Sequence, residues 1–117
     1  MSKFFSKEEL ACPCCGQMNM PENIQIKFDE IRVEYGLPIK PNSACRCHKH
    51  NAEVHGAKDS AHLYGLAMDI PCPENVHRFK LLRAVMKTEP WFVEVHQRFI
   101  HVDFRPRAAQ SFSLKLG

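Results

Sequence analysis

Two short segments of alternating apolar and polar residues, separated by two residues, constrain the fold of this chain most strongly. Residues 92–96 and 99–104 alternate with the period of two that a strand with one buried face requires. Residues 97–98 leave room only for a tight hairpin turn. Such a turn sets the register, so we predict that Glu94 pairs with His101 and that both side chains share one face.

Helical periodicity predicts two longer helices elsewhere in the chain. Apolar residues recur at helical intervals from Pro21 to Tyr35, and again from about Pro73 to Thr88. The apolar residues that we expect to form the buried face of the second helix are Val76, Phe79, Leu82 and Met86. Shorter helical segments are predicted over residues 7–11, after a capping-box pattern, and over residues 48–56, which Gly56 would close.

Residues 65–70 also alternate and form the third predicted strand. An antiparallel hairpin and a third strand, together with these helices, favour an α+β fold, a small antiparallel sheet packed with helices on one side. A length of 117 residues and a hydrophobic content of 44% suit one globular domain. We therefore predict a single domain over residues 1–117, and we expect a monomer.

The segment SAHLYGLAMDI, residues 60–70, carries the densest group of chemically useful side chains. Strand alternation places Asp69 on the same face as Gly65, whose small size would let a metal and a peptide approach the backbone. His62 precedes that strand, and His101 in the hairpin points away from the core. Two imidazoles and one carboxylate form an open zinc site, so we predict that His62, Asp69 and His101 bind one catalytic Zn²⁺.

A zinc hydrolase also needs a group that takes the proton of the attacking water. Glu94, beside His101 in the predicted register, is the first candidate, and His96 and Asp103 are the alternatives. Arg46 would neutralise either the developing oxyanion or the terminal carboxylate of a substrate.

Each of these assignments has a simpler alternative. A lone histidine is more often a surface or hydrogen-bonded residue than a ligand. Asp69 would serve as a turn cap before Pro71, and His101 would form a plain hydrogen-bonded pair with Asp103. Composition and spacing alone leave these interpretations open.

Longer motifs connect these residues to a known family. Residues Ser60, His62, Gly65, Ala67 and Asp69 match the pattern S-x-H-x-x-G-x-A-x-D, and residues His101, Asp103 and Arg105 match a later H-x-D-x-R. The chain thereby resembles the zinc D-Ala-D-Ala carboxypeptidase family, peptidase family M15, which includes phage endolysins that cut wall peptides. The resemblance extends from about Phe5 to Arg105, and Ser43, Arg46, His50 and Asn51 match a further family segment.

The resemblance implies a hedgehog or D-Ala-D-Ala peptidase-like fold and a zinc-dependent peptidase. It implies His62, Asp69 and His101 as the zinc ligands, Arg46 as the arginine for substrate or oxyanion, and Ser60 as a substrate contact. The implied reaction is hydrolysis of an amide bond in peptidoglycan stem peptides. The enzyme would be a D,D-carboxypeptidase or an endopeptidase, in the setting of a phage endolysin.

The chain departs from the family pattern at three positions. Arg98 stands where several family members have an acidic general base, three residues before the last histidine. Cys45 replaces the usual tyrosine before Arg46, and His55 stands where the family often has glycine. Arg98 leaves the identity of the base open and keeps an alternative in view, a catalytically inactive, zinc-stabilised module that binds the cell wall or a protein. A structural virion protein is a third interpretation.

Six cysteines admit three interpretations: disulfides, a structural metal site, or free thiols. Cys12 and Cys15 form a C-x-x-C pair, and Cys45 and Cys47 form a C-x-C pair. These four thiols would suit a second, structural Zn²⁺.

Charge and segment patterns indicate the setting. A formal net charge of +3 favours an anionic partner such as the bacterial cell wall, and no basic and aromatic recognition motif points to nucleic acid. The start of the chain, MSKFFSKEEL, lacks the apolar centre of a signal peptide, and no long apolar run points to a membrane span. We expect a protein made in the cytoplasm that reaches the wall after phage-mediated release.

Overall fold

The predicted sheet is present and is extended by a fourth strand. The computed structural model describes residues 1–72, 74–107 and 109–115. Its strands are β1 (Ala67–Pro71), β2 (Phe92–His96), β3 (Phe99–Asp103) and β4 (Ser111–Lys115), in the order β1-β3-β2-β4 across the sheet. Strands β1 and β2 pair antiparallel with β3, whereas β4 pairs parallel with β2. The predicted α+β class is confirmed, and β4, which the sequence pattern did not predict, makes the sheet mixed rather than purely antiparallel.

The helices occupy the predicted parts of the chain. They are α1 (Lys7–Leu10), α2 (Glu22–Tyr35), α3 (His48–Glu53) and α4 (Asn75–Met86), with a 3₁₀ turn at Ala61–Tyr64. Ser6 and Glu9 cap the start of α1 reciprocally, as their spacing predicts. Pro73, the predicted start of α4, lies outside the described residues. In the described parts of the chain, no helix combines the length and apolar character needed to cross a membrane.

The core lies between one face of the sheet and helices α2 and α4. Phe28 and Ile31 of α2 are fully buried, in one cluster with the inward side chains of the sheet. Those inward side chains are Met68, Ile70, Val93, Val95, Ile100 and Val102. Burial of one side chain as large as Phe28 stabilises the fold by roughly 1.5–3 kcal/mol. Because this face supplies the core, the opposite face of β2 and β3 is left to carry polar side chains.

The buried face of α4 differs from the predicted one. Leu81, Ala84 and Val85 are buried, whereas Val76 and Phe79 are 73% and 72% exposed. Apolar residues occur on more than one face of this helix, so periodicity did not identify the buried one. Packing against α2 and the sheet determines it instead.

Two glycines have structural roles that differ from the predicted ones. Gly65 ends the 3₁₀ turn with φ 68, and a Cβ there would lie 2.6 Å from the carbonyl oxygen of Asn19. Strand β1 therefore begins at Ala67, and the prediction that it begins at Gly65 is wrong. The prediction that Gly65 admits a ligand is wrong as well, because the backbone of Asn19 occupies that space. After α3 it is His55 that adopts a positive φ, of 57. Gly56 instead makes room for Asn51, whose Oδ1 would lie 2.0 Å from an added Cβ.

Candidate metal centre

The polar face of the sheet brings three predicted site residues into one row. Asp69 of β1 pairs with His101 of β3, and Glu94 of β2 pairs with His101 from the other side. The predicted hairpin register is confirmed. His62 reaches the same place from the 3₁₀ turn, which Ser60 caps by accepting a hydrogen bond from the His62 backbone N–H at 3.2 Å.

Two imidazole nitrogens converge on a single carboxylate oxygen. The Nε2 atom of His62 lies 3.1 Å from Asp69 Oδ1, and the Nδ1 atom of His101 lies 2.8 Å from the same oxygen. The three donor atoms all lie within 4.8 Å of one another. His62 and Asp69 are buried, at 1% and 7% exposure, and His101 is half-buried. The sequence prediction thus named three residues that the fold brings together.

A backbone carbonyl controls the tautomer of His62. Its Nδ1 atom lies 2.6 Å from the carbonyl oxygen of Ala44, an atom that only accepts hydrogen bonds. Nδ1 therefore carries the proton, and Nε2 of the neutral ring directs a lone pair at Asp69. An imidazole held in this way by a carbonyl is typical of metal-ligating histidines. Sequence patterns do not reveal this contact, because the acceptor is a backbone atom.

Arg46 holds the other oxygen of Asp69. Its guanidinium donates to Asp69 Oδ2 at 3.1 Å, to Ser43 Oγ at 2.8 Å and to Asn51 Oδ1 at 3.2 Å. Burial raises the pKa of Asp69, but the contacts with His101 and His62 outweigh burial and hold that pKa well below its ordinary value. Asp69 is therefore ionised at neutral pH, with Oδ2 fixed by Arg46 and Oδ1 facing the two imidazoles.

This donor set fits a zinc ion. Tetrahedral ligands of zinc lie about 3.3 Å apart at normal bond lengths. The separations of 3.1 and 2.8 Å from Asp69 Oδ1 are close to that value. In the neutral ring, His62 Nε2 and Asp69 Oδ1 are both acceptors. A cation bound between them would take the place of the proton that their contact otherwise needs. Two histidines and one carboxylate also leave a coordination position open, as catalytic zinc sites do.

Glu94 and His96 form a pair next to the donor set. Glu94 Oε1 lies 2.7 Å from His96 Nε2, and Glu94 Oε2 lies 3.9 Å from Lys115 Nζ. The His96 ring stacks on Phe99, with ring centroids 4.1 Å apart. The Glu94 side chain is 18% exposed, so it remains accessible from the cleft while its position is fixed by neighbours on β2, β3 and β4.

Asp103, the remaining predicted base, is engaged with Arg105. Its two oxygens accept from the backbone N–H of Arg105 at 2.8 Å and from the Arg105 Nε at 3.1 Å. A second arm of the same guanidinium reaches Asp59 at 3.2 Å. Asp103 is 1% exposed. These contacts suit a structural anchor at the end of β3 better than an exchangeable proton acceptor.

The metal donors and Glu94 line a cleft of about 690 Å³. One wall is the polar face of the sheet, and the other includes residues 54–57 after α3 and residues 60–62. Trp91 and Phe92, which were not predicted as site residues, also line the cleft. Trp91 directly precedes β2 and Phe92 is its first residue, so their place at the start of the predicted hairpin is the sequence signal that could have identified them.

A second group of metal-type donors lies on other elements. The thiols of Cys12, Cys15 and Cys47 lie within 4.8 Å of one another. Burial raises the pKa of the Cys12 thiol, but hydrogen bonds from the backbone N–H groups of Cys47, Cys15 and Cys14 lower it to about 7. Cys45 lies outside this group, because its sulfur faces the backbone of residues 19–20. The predicted four-thiol set is therefore corrected at that position.

Comparison with known proteins agrees with the geometry. The family model for peptidase M15 matches residues 3–103, which is most of the chain. A search against curated proteins gave no match. The chain therefore belongs to the peptidase M15 family, whose members are zinc-dependent metallopeptidases.

Proposed function

We propose that this protein hydrolyses an amide bond in the stem peptide of bacterial peptidoglycan, as a D,D-carboxypeptidase or an endopeptidase, with zinc held by His62, Asp69 and His101. The observation that carries the proposal is the convergence of two imidazole nitrogens on Asp69 Oδ1 at the base of a cleft, with Glu94 on the neighbouring strand. A metal site with only a structural role would not need a carboxylate such as that of Glu94 beside an open coordination position.

Neighbouring protein groups orient the proposed zinc ligands in the absence of substrate. Zinc, when bound, supplies Lewis-acid activation of water and of the scissile carbonyl. Ala44 orients the ring of His62, and Arg46 orients the carboxylate of Asp69. Because Arg46 donates to three protein acceptors, its main role is to position Asp69. This differs from the direct substrate contact that the family resemblance implies.

Glu94 is the proton acceptor in this scheme. It takes the proton of the attacking water and returns it to the leaving amine, which is general base and then general acid catalysis. His96 holds Oε1 at 2.7 Å and so directs the carboxylate. Lys115 Nζ lies 3.9 Å from Oε2, on the other side of the carboxylate.

The cleft suits a short peptide that ends in a carboxylate. Lys115, with its side chain 63% exposed, is available to meet that carboxylate, and Arg105 also lines the cleft. Trp91 and Phe92 offer apolar surface for the peptide. The formal net charge of +3 favours approach to the anionic wall, in the setting of a phage endolysin that is made in the cytoplasm and released at lysis.

Digestion of purified sacculi tests this function. The zinc-loaded protein is expected to release new amino groups, and mass spectrometry of the fragments identifies the bond. Chelator and the His62→Ala substitution should each abolish the release. His77→Ala, which removes a histidine that is 43% exposed and lies outside the cleft, is the matched control and should leave it intact. Equal release by the His62→Ala protein would contradict the proposal.

A second function is favoured by one observation. Arg98 occupies the position of the family's acidic base and is exposed at the turn between β2 and β3. A zinc-stabilised binding module would retain affinity for sacculi without releasing amino groups. Loss of turnover on mutation of Glu94, with the metal retained, would exclude that module.

A further inference from the structure

Three thiols converge at a place that the proposed catalysis does not use. Cys12 and Cys15 lie in the turn after α1, and Cys47 is the residue that precedes α3. Their sulfur atoms lie within 4.8 Å of one another, although the two segments are distant in sequence. Cys12 is buried, Cys47 is half-buried and Cys15 is exposed, so an ion from solvent has access from one side.

The backbone of both segments is arranged around the sulfur atoms. The turn is closed by a hydrogen bond from Gly16 N to Cys12 O at 2.8 Å, and Gly16 has φ 78. The N–H of Cys47 donates to Cys12 Sγ at 3.3 Å, and the N–H of His50 donates to Cys47 Sγ at 3.4 Å. The backbone donors aimed at Cys12 Sγ stabilise its thiolate, which is the form that binds metals.

A further thiol is adjacent to these three. The Cys14 side chain is exposed and hydrogen-bonds the Cys47 thiol. Structural zinc sites in proteins are almost always tetrahedral and closed, often with four cysteines. The sequence C-x-C-C, followed by a distant cysteine, therefore supplies three converged ligands, and the hydrogen bond of Cys14 to Cys47 places a fourth thiol beside them.

We propose that Cys12, Cys15 and Cys47 bind a second, structural zinc ion, with Cys14 as the fourth ligand. The ion would join the turn after α1 to the start of α3. Cys47 directly follows Arg46, whose guanidinium holds Asp69. The second site would thus fix the backbone from which Arg46 reaches the catalytic donors, and it is a separate site from the one proposed for catalysis.

Metal analysis of the purified, reduced protein tests the proposal. The wild type is expected to contain two zinc ions per chain, and the Cys15→Ser and His62→Ala proteins one each. Cys72→Ala is the matched control, because it removes a buried thiol outside the group and should retain both ions. Cobalt substitution gives a second readout, since a cobalt–thiolate site has an intense near-ultraviolet charge-transfer band and a site of imidazoles and carboxylate has none.

This experiment distinguishes a failure of the proposed thiol site from a failure of the proposed catalytic site. A cobalt–thiolate band in the His62→Ala protein supports the thiol site even if the Cys15→Ser protein does not fold. One zinc ion per wild-type chain with no such band would overturn the second site, while leaving the catalytic site as proposed. A disulfide between Cys12 and Cys15 that persists in reductant and excludes metal would overturn it as well.

Discussion

Replacement of Glu94 by glutamine is expected to remove most of the turnover and to leave the metal in place. Glutamine keeps the shape of the side chain and its Oε1, so the 2.7 Å contact with His96 is retained. Glu94 is not one of the three converging donors, so zinc content should not change. Loss of a general base costs about 10²–10⁴ in rate. At about 1.36 kcal/mol for each factor of ten, the barrier rises by roughly 3–5 kcal/mol.

The assay is steady-state hydrolysis of a purified stem peptide, with kcat and KM determined separately and zinc measured on the same samples. We expect the loss in kcat, because Glu94 acts on the proton and not on substrate affinity. Asp103→Asn is the comparison: it removes the charge that pairs with Arg105 and one of the two acceptor oxygens, so the free energy of unfolding should fall while kcat of the folded fraction changes little. Turnover of Glu94→Gln within roughly threefold of the wild type would refute the assignment of the base.

Three further predictions concern stability, measured by urea denaturation with zinc present unless stated. Gly65→Ala should destabilise the protein by roughly 1–3 kcal/mol more than Gly36→Ala. Both glycines have positive φ, but only at Gly65 would the added Cβ lie 2.6 Å from a backbone atom, the carbonyl oxygen of Asn19. Equal losses of stability would contradict this close contact. Phe28→Ala should cost about 3–5 kcal/mol, whereas Phe79→Ala, at a residue 72% exposed, should cost less than about 0.5 kcal/mol; a large loss at Phe79 would restore the originally predicted face of α4. The third prediction concerns pH dependence in chelator. The pKa of Asp69 is lowered in the folded state, so the stabilisation by Asp69 is complete above about pH 4 and is lost as the pH falls further. Asp69→Asn should flatten this dependence of stability on acid pH, and an unchanged profile would show that Asp69 does not cause it.

The hairpin and the metal donors could be predicted because their sequence signals are local. Two residues between alternating strands leave one register, and that register places Glu94 opposite His101. In helix α2 the apolar residues at helical intervals, Phe28 and Ile31 among them, are the buried ones, so periodicity identified its core face although Ile26 and Val33 are exposed. One short motif then adds His62 and Asp69, which are close in sequence and whose Nε2 and Oδ1 atoms lie 3.1 Å apart.

The remainder depends on contacts between distant segments. Strand β4 leaves Phe112 and Leu114 largely exposed, so it has no strong burial pattern, and its partner β2 is separated from it by another strand in sequence. Gly65 is required by the backbone of Asn19, which no local pattern indicates. The Ala44 carbonyl that orients His62 is likewise invisible in side-chain motifs.

The central claim is that His62, Asp69 and His101 hold the zinc ion on which hydrolysis depends. The most direct measurement is hydrolysis of sacculi by metal-free protein as zinc is added back, for the wild type, His62→Ala, His101→Ala and His77→Ala, with circular dichroism to confirm folding. We predict that zinc restores the wild type and His77→Ala and restores neither ligand variant. Activity in the metal-free wild type, or restoration by zinc in a folded His62→Ala or His101→Ala protein, would contradict the account.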